Sequence, residues 1–239
     1  MARIELVNLT KHYRQGRSVI KAVDGIDLHI DAGEFISVVG RSGSGKTTML
    51  DLLGLLLRPT AGEVLIDGVD TGRLSDGQRA TMRCEKVGFI FQEFNLLPTL
   101  NALENVMLPL RYSKRKDPGG PARARRLLEE VDLADRMNHR PSELSGGQAQ
   151  RVAIARSLVN NPSLVLGDEP TGEVDTETSA QLMALMRRMN REHGVTFVIV
   201  SHDPEVASRT DRMVRLKDGK VMADDRVVHE EVASLQQEA

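Results

Sequence analysis

Apolar positions along this chain fall into short blocks, and the length and spacing of each block predict its element. Residues 3 to 7 and 26 to 30 mix apolar and polar positions as half-exposed strands do. Phe35-Ile36-Ser37-Val38-Val39 is a short apolar run ending at a glycine, and residues 164 to 166 and 195 to 200 are of the same kind. Runs of this length, rich in β-branched residues, suit parallel strands buried on both faces. Helical patterns lie between them. Residues 177 to 193 place Leu182, Leu185, Met186 and Met189 on one face, Met183 widens the stripe, and Gly194 predicts the stop. These methionines read as core packing. Another helix is predicted from about residue 46 to 56. The stretch from about 93 to 160 reads mostly as helix and loop, with Pro118-Gly119-Gly120-Pro121 as a surface loop. Residues 216 to 221 predict a hairpin around Asp218-Gly219, and from about Asp224 onward the pattern weakens and fraying is expected.

Polar chemistry follows three of the predicted strands at once: Gly40 onward, Asp168-Glu169, and Ser201-His202. In open α/β sheets, ligands bind just beyond the carboxyl ends of the strands. Three such ends predict one shared site.

The first of them is the most specific. Gly40-Arg41-Ser42-Gly43-Ser44-Gly45-Lys46-Thr47 fits G-x-x-x-x-G-K-[ST], placed between a predicted strand and a predicted helix. Glycines let the backbone turn tightly and come close to oxygen atoms. Successive N–H groups can then cradle phosphates, helped by the positive end of the following helix. Lys46 offers a point charge to the β- and γ-phosphates, Thr47 a hydroxyl to Mg²⁺, and the loop extends to Thr48. The loop predicts Mg-ATP binding.

Composition narrows the setting. The formal net charge of -2 predicts neither a nucleic-acid nor a membrane-surface partner. Near the middle, the longest apolar run spans only residues 52 to 57, broken by Gly54, whereas a membrane span needs about 20 apolar residues. Residues 1 to 5 include no apolar stretch of the signal-peptide kind. A membrane role therefore calls for a partner chain. The single cysteine, Cys84, cannot form a disulfide within the chain, which fits a reducing compartment.

Asp168-Glu169 can do two jobs at a strand end. Asp168 can hold the shell of Mg²⁺, and Glu169 can orient or deprotonate an attacking water. Read alone, the pair could also be a helix cap. Leu144-Ser145-Gly146-Gly147-Gln148 precedes a helix carrying Val152, Ile154, Ala155, Leu158 and Val159. Small residues at a helix start make an anion site, while Ser145 as a simple N-cap is the plainer alternative.

Taken in order, the phosphate loop, Gln92, residues 144 to 148, Asp168-Glu169, Asp175 and His202 resemble the ATP-binding-cassette (ABC) ATPases, over about residues 3 to 222. The resemblance implies an α/β fold: a phosphate-loop core with a mostly parallel sheet, an N-terminal antiparallel β part and an inserted helical subdomain. The core would take about 1–92 and 161–239, and the helical subdomain about 93–160. Further roles are implied. Tyr13 stands where the family stacks an aromatic on adenine. Gln92 reaches Mg²⁺ and water, with Thr47 and Asp168 completing the metal set. His202 contacts the γ-phosphate beside the catalytic Glu169. Ser145, Gly146, Gly147 and Gln148 act on the ATP of a second protomer, and Asp175 serves communication across that dimer. Three departures stand out. Gly167 and Ala149 replace a commoner alanine and glutamine, where little effect is expected because both small residues fit and Ala149 is taken as a surface position. Glu173-Val174 replace a small or amide residue and a leucine before Asp175.

The stretch around Phe94-Asn95-Leu96-Leu97-Pro98 and Glu104-Asn105-Val106 looks like the lipoprotein-release and macrolide-export type. That resemblance implies an ATPase acting as a pair, most simply a homodimer, on a membrane permease. Its place would be the cytoplasm, peripheral to the inner face of the plasma membrane, with no nucleic-acid partner. A non-transporting regulator of a membrane partner, as in cell division, is the alternative. Residues 111 to 126 hold seven Arg or Lys against one acid, and a solvated face explains them most simply.

Overall fold

The computed structural model of the chain describes residues 3–16 and 18–227. Two long strands, β1 (Ile4–Gln15) and β2 (Ser18–Ile30), form an antiparallel hairpin, followed by β3 (Phe35–Val39) and α1 (Lys46–Leu53). The chain continues through β4 (Ala61–Ile66), β5 (Val69–Asp70), α2 (Asp76–Lys86) and β6 (Val87–Ile90). A helical stretch follows: α3 (Ala102–Met107), α4 (Gly120–Glu130) and α5 (Gly146–Leu158). Then come β7 (Leu164–Asp168), α6 (Thr176–His193), β8 (Thr196–Ser201) and α7 (Pro204–Ser208). The hairpin β9 (Arg212–Lys217) and β10 (Lys220–Arg226) completes the described elements.

The strands make two sheets. One is antiparallel, in the order β2-β1-β4-β5; the other runs β10-β9-β3-β8-β7-β6, parallel from β9 to β6 and antiparallel only at its β10 edge. The uninterrupted apolar runs have a direct cause. Successive strand residues point to opposite faces, and each face of the six-stranded sheet meets a separate core. Ile36, Val38, Leu164, Leu166, Val198 and Val200 face a core shared with α1 and the antiparallel sheet. Phe35, Val165, Phe197 and Ile199 face the other, packed with α3, α4, α5 and α6. Phe35 and Phe197 meet edge to face at 5.6 Å between ring centroids.

The methionines of the α6 stripe, Met183, Met186 and Met189, are buried in that second core, and the helix stops at Gly194 with φ 62°. Three boundaries differ from expectation. Helix α1 ends at Leu53, three residues early, because Gly54 caps it and Leu55 turns to φ 58°. A Cβ on Gly54 would lie 2.6 Å from the Phe89 ring, so this close approach requires glycine. The Pro-Gly-Gly-Pro cluster is not all loop: Gly120 and Pro121 form the first turn of α4, where proline's missing N–H costs nothing. Finally, the chain is ordered past Asp224. Strand β10 runs to Arg226, held where Arg212 donates to both Asp224 oxygens at 2.6 and 2.7 Å. The positions after Val227 lie outside the described residues.

Candidate active site

The phosphate loop joins β3 to α1, and its geometry rests on two glycines and a distant turn. Gly43 and Gly45 take φ 79° and 102°. A Cβ on Gly45 would come within 2.0 Å of the Ala22 carbonyl oxygen, so β2 passes too close for any other residue. The Asp218-Gly219 turn of the β9–β10 hairpin buttresses the loop. The Gly219 N–H donates to the Ser44 carbonyl at 3.0 Å, and the Asp24 N–H to the Gly219 carbonyl at 2.9 Å. Sequence reading identified that turn but not its use; only the sheet order brings it beside the loop.

Lys46 is 7% exposed and donates from Nζ to the Gly40 carbonyl at 2.8 Å and the Arg41 carbonyl at 3.2 Å. The lysine is thus folded back along its own loop, with donors ready for exchange to phosphate oxygens. Ser44 Oγ is buried with no hydrogen-bond partner. A buried orphan hydroxyl is uncommon and marks a cradle suited to an oxygen-rich ligand.

A cavity of about 1480 Å³ opens over the loop. Gly40, Arg41, Ser42, Gly43, Gly45, Lys46, Thr47 and Thr48 line its floor, with Tyr13, Gln92, Glu169 and His202 at its walls. Tyr13, from β1, is 38% exposed, and the Lys11 ammonium lies 5.3 Å from its ring centre. Ile20 on β2 lies in the same wall. A flat aromatic beside an apolar side chain suits a heterocyclic base.

The reactive groups converge where β7 and β8 end. Glu169 adopts φ 46°, and its N–H donates to the Val200 carbonyl at 2.9 Å. A non-glycine residue in this left-handed region is strained, and such strain collects at functional sites. The turn aims the side chain at His202: Glu169 Oε2 lies 2.6 Å from His202 Nδ1. Asp168 is half-buried. Burial, then the neighbouring Glu169 and Asp51, push its carboxyl above the usual range, against the pull of Lys46. Burial also raises the Asp51 carboxyl, a residue of α1 that sequence reading missed because nothing in a motif selects it. Three carboxylates against one ammonium leave an excess of negative charge that suits a divalent cation. Among the described residues, no three His, Cys, Asp or Glu side chains make a cage of their own. A hard cation here would therefore draw on a hydroxyl, an amide, one carboxylate and ligand phosphates, which is a common way of holding Mg²⁺.

Gln92 follows β6, and its amide donates to Glu173 Oε1 at 2.9 Å. Glu173, the departure before Asp175, therefore contacts the site directly. Asp175 caps α6: it accepts the Thr178 N–H at 2.9 Å and the Thr178 hydroxyl at 2.7 Å, which hold its carboxyl below the usual range.

Ser145, Gly146, Gly147 and Gln148 do not line the cavity, and neither does Asp175. Ser145 caps α5 in a reciprocal box with Gln148, and Ser145 and Gly146 are exposed. A Cβ on Gly147 would lie 2.7 Å from Thr178 Cγ2, so the segment packs against the start of α6. The two neutral departures need correction. Ala149 is buried at 5% exposure, because α5 is packed on nearly every side, so a longer side chain there would require space to open. At Gly167 a Cβ would sit 2.7 Å from Ile199 Cδ1, so alanine would fit only if that side chain turned.

Comparisons with known proteins place the fold and the family. The family model for ABC transporters matches residues 23–172. The lipoprotein-releasing system ATP-binding protein LolD of Geobacter metallireducens is 49% identical over 223 residues, covering 92% of this chain and 98% of that protein. The macrolide export ATP-binding/permease protein MacB of Rhodopirellula baltica is 48% identical over 93% of this chain, which spans only 33% of that longer protein. Among solved structures, the dimeric post-hydrolysis state of the cassette MJ0796 of Methanocaldococcus jannaschii, bound to ADP and Pi, superposes with a TM-score of 0.85. It is 45% identical and the match covers 95% of this chain and 99% of that one.

Proposed function

The chain belongs to the ABC transporter family of ATP-binding, ATP-hydrolysing proteins, and we propose that within it the chain is the motor subunit of an export or extraction system for lipid, lipoprotein or drug. The observation that carries the hydrolytic reading is the 2.6 Å contact between Glu169 and His202 at the mouth of the phosphate-loop cavity. Tyr13 stacks on adenine. The loop N–H groups, Lys46 and Thr48 hold the phosphates. Glu169 takes a proton from the attacking water, and His202 fixes the Glu169 carboxylate and meets the γ-phosphate. Thr47, Gln92 and Asp168 hold Mg²⁺, which supplies charge neutralisation at the phosphates when bound.

The placement of residues 145–148 supports action in pairs. Ser145 and Gly146 are exposed, and all four residues lie outside their own cavity, so the anion-binding start of α5 is free to close over the ATP of a second copy, with Asp175 at that contact. Binding two nucleotides between two chains would draw them together, and hydrolysis would release them. The chain would divide as a core of about 1–92 and 161–239 and a helical part of about 93–160.

Among the described residues no helix is long and apolar enough to cross a membrane. Work on a membrane therefore passes through a permease, which would hold the chain at the inner face of the plasma membrane. A second cavity of about 710 Å³, between α2, β6 and the segment after Gln92, is the surface we assign to that contact. The names of the LolD and MacB relatives favour transport over the cell-division type of regulator.

Glu169→Gln tests the hydrolytic assignment. Loss of a general base slows turnover by roughly 10²–10⁴-fold, while equilibrium ATP binding persists because the carboxylate acts on water. Turnover near that of the unaltered chain would remove Glu169 from the role.

A further inference from the structure

The second cavity and its rim carry positive charge in different ways. Inside, Arg83, Lys114 and Arg156 line the cavity, and no carboxylate does. Two of these cations are engaged on backbone. Arg83 donates to the Leu55 carbonyl at 3.1 Å, and Arg156, from α5, donates to the Phe94 carbonyl at 2.7 Å and to the Asn95 carbonyl. The rim is formed by the connection between α3 and α4, which meets the cavity at Tyr112 and Lys114. Tyr112 is 73% exposed.

This connection is rich in cations that nothing neutralises. From 111 to 116, Arg111, Lys114, Arg115 and Lys116 stand with no acid among them. Asp117, the one acid of residues 111 to 126, is engaged within the loop: it accepts the Gly119 N–H at 2.9 Å and pairs with Arg123 at 2.7 Å. Arg115 turns back onto Glu85 of α2 at 3.0 Å. The other five cations, Arg111, Lys114, Lys116, Arg125 and Arg126, are exposed and form no ion pair among the described residues. A face made only for solubility mixes the two signs; this one has a single sign.

The loop is also held in shape. Leu110 closes its base against Gly120, where a Cβ would lie 2.9 Å from Leu110 Cδ1. The Tyr112 N–H donates to the Pro109 carbonyl at 3.1 Å, and the Arg115 N–H to Ser113 Oγ at 3.1 Å. Its backbone is therefore already ordered before any ligand arrives, which removes much of the entropic cost of binding.

We propose, on the basis of the motor-subunit reading, that the 111–116 loop binds the anionic headgroups of phospholipids beside the permease, through Arg111, Lys114 and Lys116. A partner seated in the second cavity is embedded in the bilayer, so the rim of that cavity turns toward the membrane surface. Lipid headgroups suit this chemistry because the charges lie spread over successive exposed residues, and a fluid array of anions can follow them. The net charge of -2 does not oppose the contact. Fields of exposed charges fade over about 8 Å at physiological salt, so the local sign decides.

The membrane partner supplies the test. Co-purified with the chain, it is placed in bilayer discs of phosphatidylcholine alone, or of phosphatidylcholine and phosphatidylglycerol in equal parts, and the full chain is added back. Each cation at an anionic surface contributes about fivefold in affinity, so the anionic discs should bind the chain at least about twentyfold more tightly. That gain should fade as salt rises. Arg111→Gln with Lys116→Gln should lose about twentyfold of the gain, while binding neutral discs as the unaltered chain does and keeping its ATPase activity. Arg191→Gln with Arg209→Gln removes the same charge from exposed positions on α6 and after α7, and should keep the gain. An affinity indifferent to the lipid, a gain that survives Arg111→Gln with Lys116→Gln, an equal loss in the Arg191 and Arg209 pair, or a matching loss on neutral discs, the mark of a protein acid as partner, would overturn the proposal and leave the motor-subunit reading standing. A chain that hydrolyses ATP but brings down no membrane protein would overturn that reading, and the proposal with it.

Discussion

The two cavities touch at adjacent residues, Gln92 lining one and Phe91 the other, but they are made of different material. Over the phosphate loop, recognition lies in backbone N–H groups, glycines at positive φ and a few convergent polar groups. Such a surface tolerates almost no exchange at Gly45, where a Cβ would meet Ala22 at 2.0 Å. The groove is instead lined by side chains: aromatic walls and cations without acids. Backbone-built sites need fixed spacing and so leave a motif. Side-chain-built sites need only a class of residue at each place and leave none. The difference separates a universal ligand from a particular partner.

That contrast can be broken by variants acting on one cavity and not the other. The largest expected effect is Lys46→Met. Removing a preorganised positive donor from the phosphates should cost about 10²–10³-fold in turnover, with permease co-purification unchanged; parallel loss of assembly would show that the cavities are not separable. Next comes Tyr13→Ala. Base–aromatic stacking of roughly 1–3 kcal/mol predicts a rise of about tenfold in the KM for ATP with kcat spared, read from steady-state kinetics. An unchanged KM would take Tyr13 out of the site. The mirror variant is Tyr112→Ser, which should weaken the permease complex by about tenfold, as for an aromatic anchor, and leave ATPase activity of the isolated chain unaltered. Altered basal hydrolysis would instead make Tyr112 part of the nucleotide machinery.

Much of the nucleotide side was legible in the sequence, and for physical reasons. Residues 40 to 48, Asp168, Glu169 and His202 end predicted buried strands, and parallel strands deliver their ends to one edge. The rest depended on packing. Asp51 sits one turn into α1, and no local pattern shows that it faces Asp168. The Gly219 turn was visible as a hairpin, yet its hydrogen bond to Ser44 exists only because β9 lies beside β3. Ala149 looked like a surface position because its neighbours on α5 are polar, but that helix is buried on nearly every side. Arg156 was missed altogether: an arginine in a helix ordinarily reads as solvated, and only the fold places it against the Phe94 and Asn95 carbonyls.

The smallest expected effect concerns Asp175, where the segment 145–148 meets the start of α6. Its folded carboxyl lies below the ordinary value, so its contribution is present above the unfolded pKa of about 4 and is lost as pH falls through the lower folded value. Asp175→Asn should therefore flatten the fall of the thermal midpoint below about pH 4, and an unchanged acid limb would remove Asp175 as a contributor.

The central claim is that each chain carries half of two sites, a phosphate cradle for its own ATP and an exposed α5 start for another's. Light scattering on size-separated Glu169→Gln chain with saturating ATP tests it most directly. The account predicts a dimer with one ATP per chain, and a monomer with ATP still bound once Ser145→Arg is added. A monomer for Glu169→Gln alone, or a dimer that persists with Ser145→Arg, would contradict it.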